Sequence, residues 1–180
     1  MNFLGILNLL DSPIILILII VVIVALVMVF TSLKRNPILT IKDITKVLDD
    51  HQIKFQITDA KNKDYTFDLT VDNITYTVLV LPIEKFAEVT INNFNTWEMR
   101  YGAGEKPGKA QPFKTKIAEI PNFMKLEKEN KIVIIQPNAK QIVYWKNENE
   151  IVDVLPNNKI YGINVVNIDD LPKLFIKENK

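Results

Sequence analysis

The chain has 180 residues, 48% of them hydrophobic, with 22 Lys and Arg, 21 Asp and Glu, one His and no Cys. Without Cys, a disulfide framework, a thiolate nucleophile and any Cys-ligated metal site are excluded, and the single His51 excludes a His-rich metal centre. The near-neutral charge balance argues against a strongly basic protein that coats nucleic acid. Metal or acid–base chemistry in this chain must therefore rest on carboxylates.

A long apolar run near the N-terminus predicts a membrane anchor. Every residue from 14 to 30 is apolar, and no charge interrupts residues 12–33. At about 1.5 Å per helical residue, this run with its flanks reaches across a hydrocarbon core roughly 30 Å thick. A cleaved signal peptide is the alternative, but residues 1–12 contain no Lys or Arg, and no small-residue cleavage signature follows the run. We therefore predict one transmembrane helix at about 13–33, within an anchor region of residues 1–35.

The flanking charges predict the orientation of that helix. Lys34 and Arg35 follow the apolar run directly, whereas Asp11 precedes it. Basic residues favour the cytoplasmic side. We therefore expect a single-pass protein of the cell membrane whose soluble domain, residues 36–180, is cytoplasmic. Setting aside those three charges leaves that domain formally neutral.

The first elements of the soluble domain follow from hydrophobic periodicity. A helix is predicted over 40–52, because Ile44 and Leu48 lie among apolar residues at helical spacing and Thr40 suits its N-cap. From residue 53 the period changes to two, which predicts strands over 53–57, 65–71 and 74–81. Asp72-Asn73 predicts a hairpin turn between the last two. The strand over 74–81 is apolar on both faces in its later half, which predicts a central position.

The remaining elements complete a mixed α/β (α+β) pattern. A loop over 102–112, rich in Gly and Pro, follows a predicted edge strand, and Pro121 must kink or restart the helix predicted after that loop. Asp169-Asp170 is predicted to cap the last helix. The further predicted elements are strands over 87–91, 96–101, 132–135, 141–145 (an antiparallel edge), 151–155 and 162–168, and helices over 114–126 and 171–176. This order predicts one soluble domain, a mixed-sheet sandwich built around a single sheet.

A family resemblance rests on the order of several short segments. These are Phe-Asp-Leu at 67–69, Tyr-Thr-Val-Leu-Val at 76–80, the strand with Trp97 before the Gly/Pro loop, Gln111 near a helix start, Ile-Val-Ile-Ile-Gln-Pro at 132–137 and Val-Val-Asn-Ile-Asp-Asp-Leu at 165–171. In this order the chain resembles the nuclease-related domain, a branch of the PD-(D/E)XK restriction-endonuclease-like superfamily. The resemblance covers about 40–175 and implies a restriction-endonuclease-like fold for the soluble domain.

The resemblance also implies where catalytic groups would lie. In that superfamily a hairpin carries an Asp and, further along, a Glu-x-Lys; the two carboxylates hold a divalent ion that activates water, and the Lys positions water or phosphate. Asp68 falls on the Asp position, whereas Thr77 and Leu79 fall on the Glu and Lys positions. Thr cannot supply an anionic ligand and Leu carries no charge. The implied state is a catalytically inactive domain without a cofactor, in which Asp68 alone remains as a metal ligand.

A second placement of the catalytic groups would leave the domain active. Glu98 and Arg100 share one face of a predicted strand, and Arg can replace Lys in binding phosphate. Asp68, Glu84 or Glu88 would supply the second carboxylate, and Mg²⁺ or Mn²⁺ would be the cofactor. The plainer explanation of Glu98 and Arg100 is an exposed polar face.

A local excess of positive charge predicts a binding surface around the Gly/Pro loop. Tyr101 and Phe113 lie between the basic residues, and such a surface suits nucleic acid or anionic lipid head groups. The alternative is a solvated loop and helix face. The candidate binding residues are Arg100, Lys106, Lys109, Gln111, Lys114 and Lys116.

The sequence is compatible with three functions. The first is a membrane-tethered, catalytically inactive nuclease-related domain that binds or scaffolds a protein partner at the bilayer. The second is an active, divalent-metal-dependent nuclease using Asp68 with Glu98. The third is a structural subunit of a membrane complex.

Overall fold

A computed structural model of the chain describes residues 17, 19–24, 37–102 and 113–176. The predicted transmembrane span, 13–33, therefore lies outside the described residues except at 17 and 19–24, which are helical. The part of the chain that is described contains no helix with the length and apolar character needed to cross a membrane. The chain divides into two units, Met1–Leu39 and Thr40–Lys180, and the second contains both sheets.

Within residues 37–102 and 113–176 the chain forms two helices, a 3₁₀ helix and eleven strands. The helices are α1 (Pro37–Asp50) and α2 (Ile120–Lys125), and the 3₁₀ helix is Ile168–Leu174. The strands are β1 (Phe55–Asp59), β2 (Phe67–Val71), β3 (Ile74–Pro82), β4 (Glu88–Asn93), β5 (Thr96–Tyr101), β6 (Phe113–Lys116), β7 (Lys131–Gln136), β8 (Gln141–Asn147), β9 (Glu150–Asp153), β10 (Lys159–Ile160) and β11 (Ile163–Asn167).

The strands form two mixed sheets, which confirms the mixed α/β class. The first sheet has the order β1-β2-β3-β7-β11-β10, and the second has the order β6-β5-β4-β8-β9. The pairs β3–β7 and β7–β11 are parallel in the first sheet, and β4–β8 is parallel in the second. The prediction of a single sheet was wrong. Hydrophobic alternation identifies which residues of a strand are buried, but it does not say which sheet the strand joins.

Two chain segments run side by side from the first sheet into the second, and we call them the crossing pair: β3–β4 and β7–β8 with their connections. Pro82 lies opposite Gln136 at the end of the first sheet. The Ile83 N–H then donates to Gln136 O over 3.1 Å, and the Lys140 N–H donates to Ala87 O over 2.8 Å. Hydrogen bonding between the two segments thus continues across the gap between the sheets.

Apolar residues form one layer on each face of the first sheet. Between the two sheets, Leu81 and Val133 pack with Trp97 and Ile91 of the second sheet, and Phe123 of α2 joins them. On the opposite face, α1 and the 3₁₀ helix cover the sheet through the buried residues Ile44, Leu48, Phe67, Ile134 and Leu171. The first sheet is therefore covered on both faces.

Two predictions from local pattern are confirmed around the β2–β3 hairpin. Asp72 and Asn73 have positive φ angles of 48° and 63°, as a two-residue hairpin turn requires, and Val71 pairs with Ile74 across it. β3 lies between β2 and β7, so it is central in its sheet. Its later half is apolar on both faces because both faces are covered.

The predicted first helix exists but begins earlier than expected. α1 spans Pro37–Asp50 instead of 40–52, so Thr40 lies inside the helix and not at its N-cap. A proline is well tolerated in the first turn of a helix, where its missing N–H would have no partner. The predicted amphipathic face is confirmed by Ile44 and Leu48, which are fully buried.

The prediction of a helix over 114–126 was wrong for its first half. Residues Phe113–Lys116 form β6, which pairs with β5, and only Ile120–Lys125 is helical, with Pro121 in its first turn. β5 was predicted as an edge, but it lies between β4 and β6. β8 was also predicted as an edge, but it lies between β4 and β9 and is parallel to β4.

The last predicted helix is a 3₁₀ helix. It starts at Ile168 and ends at Leu174, so Asp169 and Asp170 lie in its first turn instead of preceding it. Pro172 lies inside this helix and lacks the N–H that a continuous α-helix would use.

Candidate functional site

The candidate site lies where the β2–β3 hairpin faces the second sheet. Asp68 of β2 and Thr77 of β3 are directly opposite each other. The Thr77 hydroxyl donates to Asp68 Oδ1 over 3.0 Å, and the Tyr65 hydroxyl donates to Asp68 Oδ2 over 3.0 Å. The Lys61 N–H in turn donates to the Tyr65 hydroxyl over 2.9 Å. Each oxygen of the carboxylate therefore accepts a hydrogen bond from a neutral hydroxyl.

The hairpin brings together the positions that the nuclease resemblance aligns. Leu79 lies two residues beyond Thr77, so both point to the same face of the sheet. The Leu79 side chain is 6% exposed and belongs to the apolar layer between the sheets. Asp68 is thus the only anionic group among these three aligned positions.

This set of donors does not fit a catalytic Mg²⁺ or Mn²⁺ ion. Such an ion takes hard oxygen ligands, usually with one or two carboxylates. Thr77 offers a neutral hydroxyl that already donates to Asp68. Among the residues described, no three Asp, Glu, His or Cys side chains are grouped as metal ligands would be. We therefore assign no catalytic step to a metal at Asp68.

Lys131 adjoins this site, although no pattern in the sequence predicted it. It lies opposite Thr77 on β7, so Asp68, Thr77 and Lys131 form one row across three strands. Its ammonium donates to the carbonyl oxygens of Phe123 and Met124 over 3.4 and 2.9 Å, and to that of Leu126 over 2.8 Å. Burial lowers the pKa of Lys131.

These contacts give Lys131 a structural role. Carbonyls at the C-terminal end of a helix have no partners within it, and a cation there also favours the helix dipole. Lys131 therefore caps α2. The signal in the sequence was a single charged residue directly before the wholly apolar run of β7.

A hollow of about 230 Å³ opens beside Leu79. Its rim carries charged and amide side chains, whereas Leu79 supplies an apolar wall. The lining residues are Lys63, Asp64, Leu79, Ala118, Glu119 and Asn122.

Glu98, the alternative catalytic acid, is not near Asp68. Asp68 lies on the face of the first sheet that points toward the second sheet, whereas Glu98 lies on the outer face of the second sheet, between Thr90 and Lys116. Glu98 Oε2 is 2.8 Å from Lys114 Nζ, with the Glu98 side chain 15% exposed. The structure therefore does not bring the two proposed carboxylates together.

Two opposing effects act on the Glu98 carboxyl. Partial burial raises its pKa, but hydrogen bonds from Lys114 and Asn92 and the nearby charges of Lys114 and Arg100 outweigh burial, so its pKa is lowered overall. Glu98 thus has the electrostatics of an ion-paired structural carboxylate.

Two of the three described basic residues, Arg100 and Lys114, have acidic side chains beside them on neighbouring strands, whereas Lys116 is exposed. Arg100 lies between Glu88 and Lys114 across the sheet, and Lys114 pairs with Glu98. Glu88 also lies 3.6 Å from Lys140. The acids are invisible in the local sequence because they come from other strands. The other predicted binding residues, Lys106, Lys109 and Gln111, lie outside the described residues.

The chain matches no model of a known protein family, no curated protein and no solved structure. What the site can do must therefore be inferred from its own groups.

Replacing Thr77 with Val should destabilise the fold by about 1–3 kcal/mol, because the partly buried Asp68 carboxylate loses a donor. Urea unfolding of the full chain in detergent micelles measures the change. The matched control is Thr75→Val on the same strand, whose hydroxyl meets that of Thr70 at the surface; its effect should stay within about 0.5 kcal/mol. Equal losses for both variants would contradict the proposed hydrogen-bonding role.

Replacing Glu98 with Gln should remove part of the acid sensitivity of the fold. Because the folded pKa of Glu98 lies below its ordinary value of 4.5, the stability it contributes is present above that pH and is lost as pH falls through the folded pKa. The free-energy difference between wild type and Glu98→Gln should therefore shrink between neutral pH and about pH 3.

The control for this measurement is Glu127→Gln, since Glu127 is exposed and makes no ion pair with any described residue. It should follow the wild-type pH dependence. A Glu98→Gln curve parallel to wild type throughout would show that the Lys114 pair adds nothing to stability.

Proposed function

We propose that this chain is a membrane-tethered, nuclease-related binding or scaffolding domain that does not catalyse phosphodiester cleavage. The observation that carries the proposal is the hydrogen bonding of Asp68, whose two oxygens accept from the Tyr65 and Thr77 hydroxyls. Leu79 at the aligned lysine position adds to it, because a buried leucine cannot orient a water molecule or a phosphate.

The arrangement of the first sheet supports a restriction-endonuclease-like core. The β2–β3 hairpin places Asp68 opposite the position aligned with the catalytic Glu, and β7 lies beside β3 in parallel. The second sheet has no counterpart in the expected single-sheet architecture, and it covers the face on which Asp68 lies. A covered face suits a domain that binds partners elsewhere on its surface.

The apolar run of residues 14–30 supports the membrane part of the proposal. Lys34 and Arg35 directly after it support a cytoplasmic domain. Tethering raises the effective concentration of the domain for partners at the same bilayer, so a weakly binding surface is sufficient for a scaffold.

The absence of nuclease activity is tested with the full chain in detergent micelles, incubated with plasmid and with single-stranded DNA plus Mg²⁺ or Mn²⁺. We expect no cleavage above that of a preparation carrying Asp68→Asn. The control is Asp64→Asn in the neighbouring loop. Cleavage that persists in Asp64→Asn and disappears in Asp68→Asn would overturn the proposal.

The membrane tether is tested separately by fractionation and by a reporter fused after Lys180. The full chain should stay with membranes after alkaline extraction, and a variant lacking residues 14–30 should not. The reporter should be active in the cytoplasm. A reporter active only outside the cytoplasm would contradict the proposed orientation. Equal extraction of both chains would contradict the proposal that residues 14–30 anchor the protein.

A further inference from the structure

A hollow of about 360 Å³ opens at the end of the first sheet where the β2–β3 hairpin turns, and we call it the hairpin hollow. The sheet contributes Asp72 of the turn with Ile74 and Tyr76 of β3, and the end of the 3₁₀ helix contributes Leu174 and Phe175. Tyr76 belongs to the apolar layer under α1 and the 3₁₀ helix, so the hollow lies on the face that points away from the second sheet. Its volume is within the range of about 300–1,000 Å³ that is typical of small-molecule sites.

Two aromatic rings meet at an angle in the wall of the hairpin hollow. The ring centroids of Tyr76 and Phe175 are 5.5 Å apart, and the ring planes are inclined at 68°. Both side chains are half-buried and both border the hollow. The face of an aromatic ring carries partial negative charge and attracts a cation placed over it. An aromatic corner of this kind therefore favours a positively charged ligand.

The remaining wall is largely apolar and partly open to solvent. Ile74 is 46% exposed and Ile176 is 49% exposed, and both line the hollow. Covering these side chains removes apolar surface from water, which a ligand with methyl groups can do. A hydrated inorganic cation cannot, because it requires oxygen ligands all around it. The walls thus favour a cation that carries its own apolar substituents.

One carboxylate on the rim supplies the complementary charge. Asp72 forms no ion pair within the described part of the chain. Burial and the nearby Asp72 charge raise the pKa of Tyr76, so its phenol stays neutral at physiological pH. Lys173 also borders the hollow, but its ammonium lies 2.6 Å from Asp170 Oδ1, so a carboxylate already balances its charge. The charge left unbalanced beside the rings is therefore negative.

We propose that the hairpin hollow binds a small organic ammonium ion, with its alkyl groups against Tyr76 and Phe175 and its charge beside Asp72. Quaternary ammonium compounds such as choline belong to this chemical class. The attraction would combine apolar contact with the pull of two ring faces and one carboxylate on the same cation. This inference does not depend on the proposed function, because the hollow and Asp68 lie on opposite faces of the first sheet.

The proposal is tested with three probes of similar shape and different charge. They are choline, its neutral carbon isostere tert-butylethanol and the tert-butylacetate anion. Binding to the full chain in micelles of a maltoside detergent, which contains no ammonium group, is measured by ligand-observed NMR titration. Choline should bind at least about tenfold more tightly than either analogue. Equal binding of the isostere would show only an apolar hollow, and equal binding of the anion would assign the site to Lys173; either result overturns the proposal.

The role of the carboxylate is tested with Asp72→Asn. Asparagine tolerates the positive φ of 48° at this position, so the turn is kept while the charge is removed. Choline binding should weaken about tenfold. The matched control is Asp59→Asn, which removes an exposed carboxylate at the other end of β1 and should bind choline as wild type does. Equal affinity of the two variants would overturn the role of Asp72.

The role of the rings is tested with a pair of substitutions at Tyr76. Tyr76→Phe keeps a ring face and should keep choline binding within about twofold of wild type. Tyr76→Leu keeps an apolar side chain without a ring face and should weaken binding about tenfold. Urea unfolding shows whether each variant is folded. Wild-type affinity in folded Tyr76→Leu, or loss of binding in folded Tyr76→Phe, would overturn the aromatic contact; if Tyr76→Leu does not fold, the three probes and Asp72→Asn still decide the proposal.

Discussion

The crossing pair is the interaction on which the rest of the structure depends. β3 and β7 hydrogen-bond in parallel through the first sheet, and the same two segments stay paired as they pass into the second sheet as β4 and β8. Because this double segment belongs to both sheets, it fixes their separation and the apolar layer between them. It also sets the row that contains Asp68, Thr77 and Lys131, because β3 lies between β2 and β7.

That row places the single Asp68 carboxylate beside the neutral Thr77 and the cationic Lys131. Asp68 and Thr77 face each other on neighbouring strands, and the Thr77 hydroxyl donates a hydrogen bond to the carboxylate. A lone carboxylate near the interface of two sheets needs partners to offset its lost hydration. Thr77 and Tyr65 provide them, and Lys131 uses its charge on the end of α2.

Local chemistry predicted part of this fold, and pairing between distant segments decided the rest. The Asp72-Asn73 turn, the central β3 and the buried face of α1 follow from residues close in sequence. Three predictions were wrong: a single sheet, edge positions for β5 and β8, and a helix at 114–126. They failed because a short segment such as Phe113–Lys116 takes its conformation from the strand beside it. The juxtaposition of Asp68 and Thr77 was predictable from the hairpin register. The capping by Lys131 was not predictable, because the carbonyls that it binds belong to α2. The acids beside Arg100 and Lys114, Glu88 and Glu98, were not predictable either, because they lie on other strands.

The order in which the chain visits the two sheets has a kinetic consequence. It builds β1–β3 in the first sheet, β4–β6 in the second, β7 in the first, β8 and β9 in the second, and β10 and β11 in the first again. Neither sheet is made from one continuous stretch, so neither can be complete until nearly the whole domain has been synthesised. The parallel partners Thr77 and Lys131 alone are separated by more than 50 residues, and such distant contacts slow folding because loop closure precedes any gain from pairing. During synthesis the half-built sheets would expose apolar strands, so we expect the two-sheet domain to fold late in synthesis.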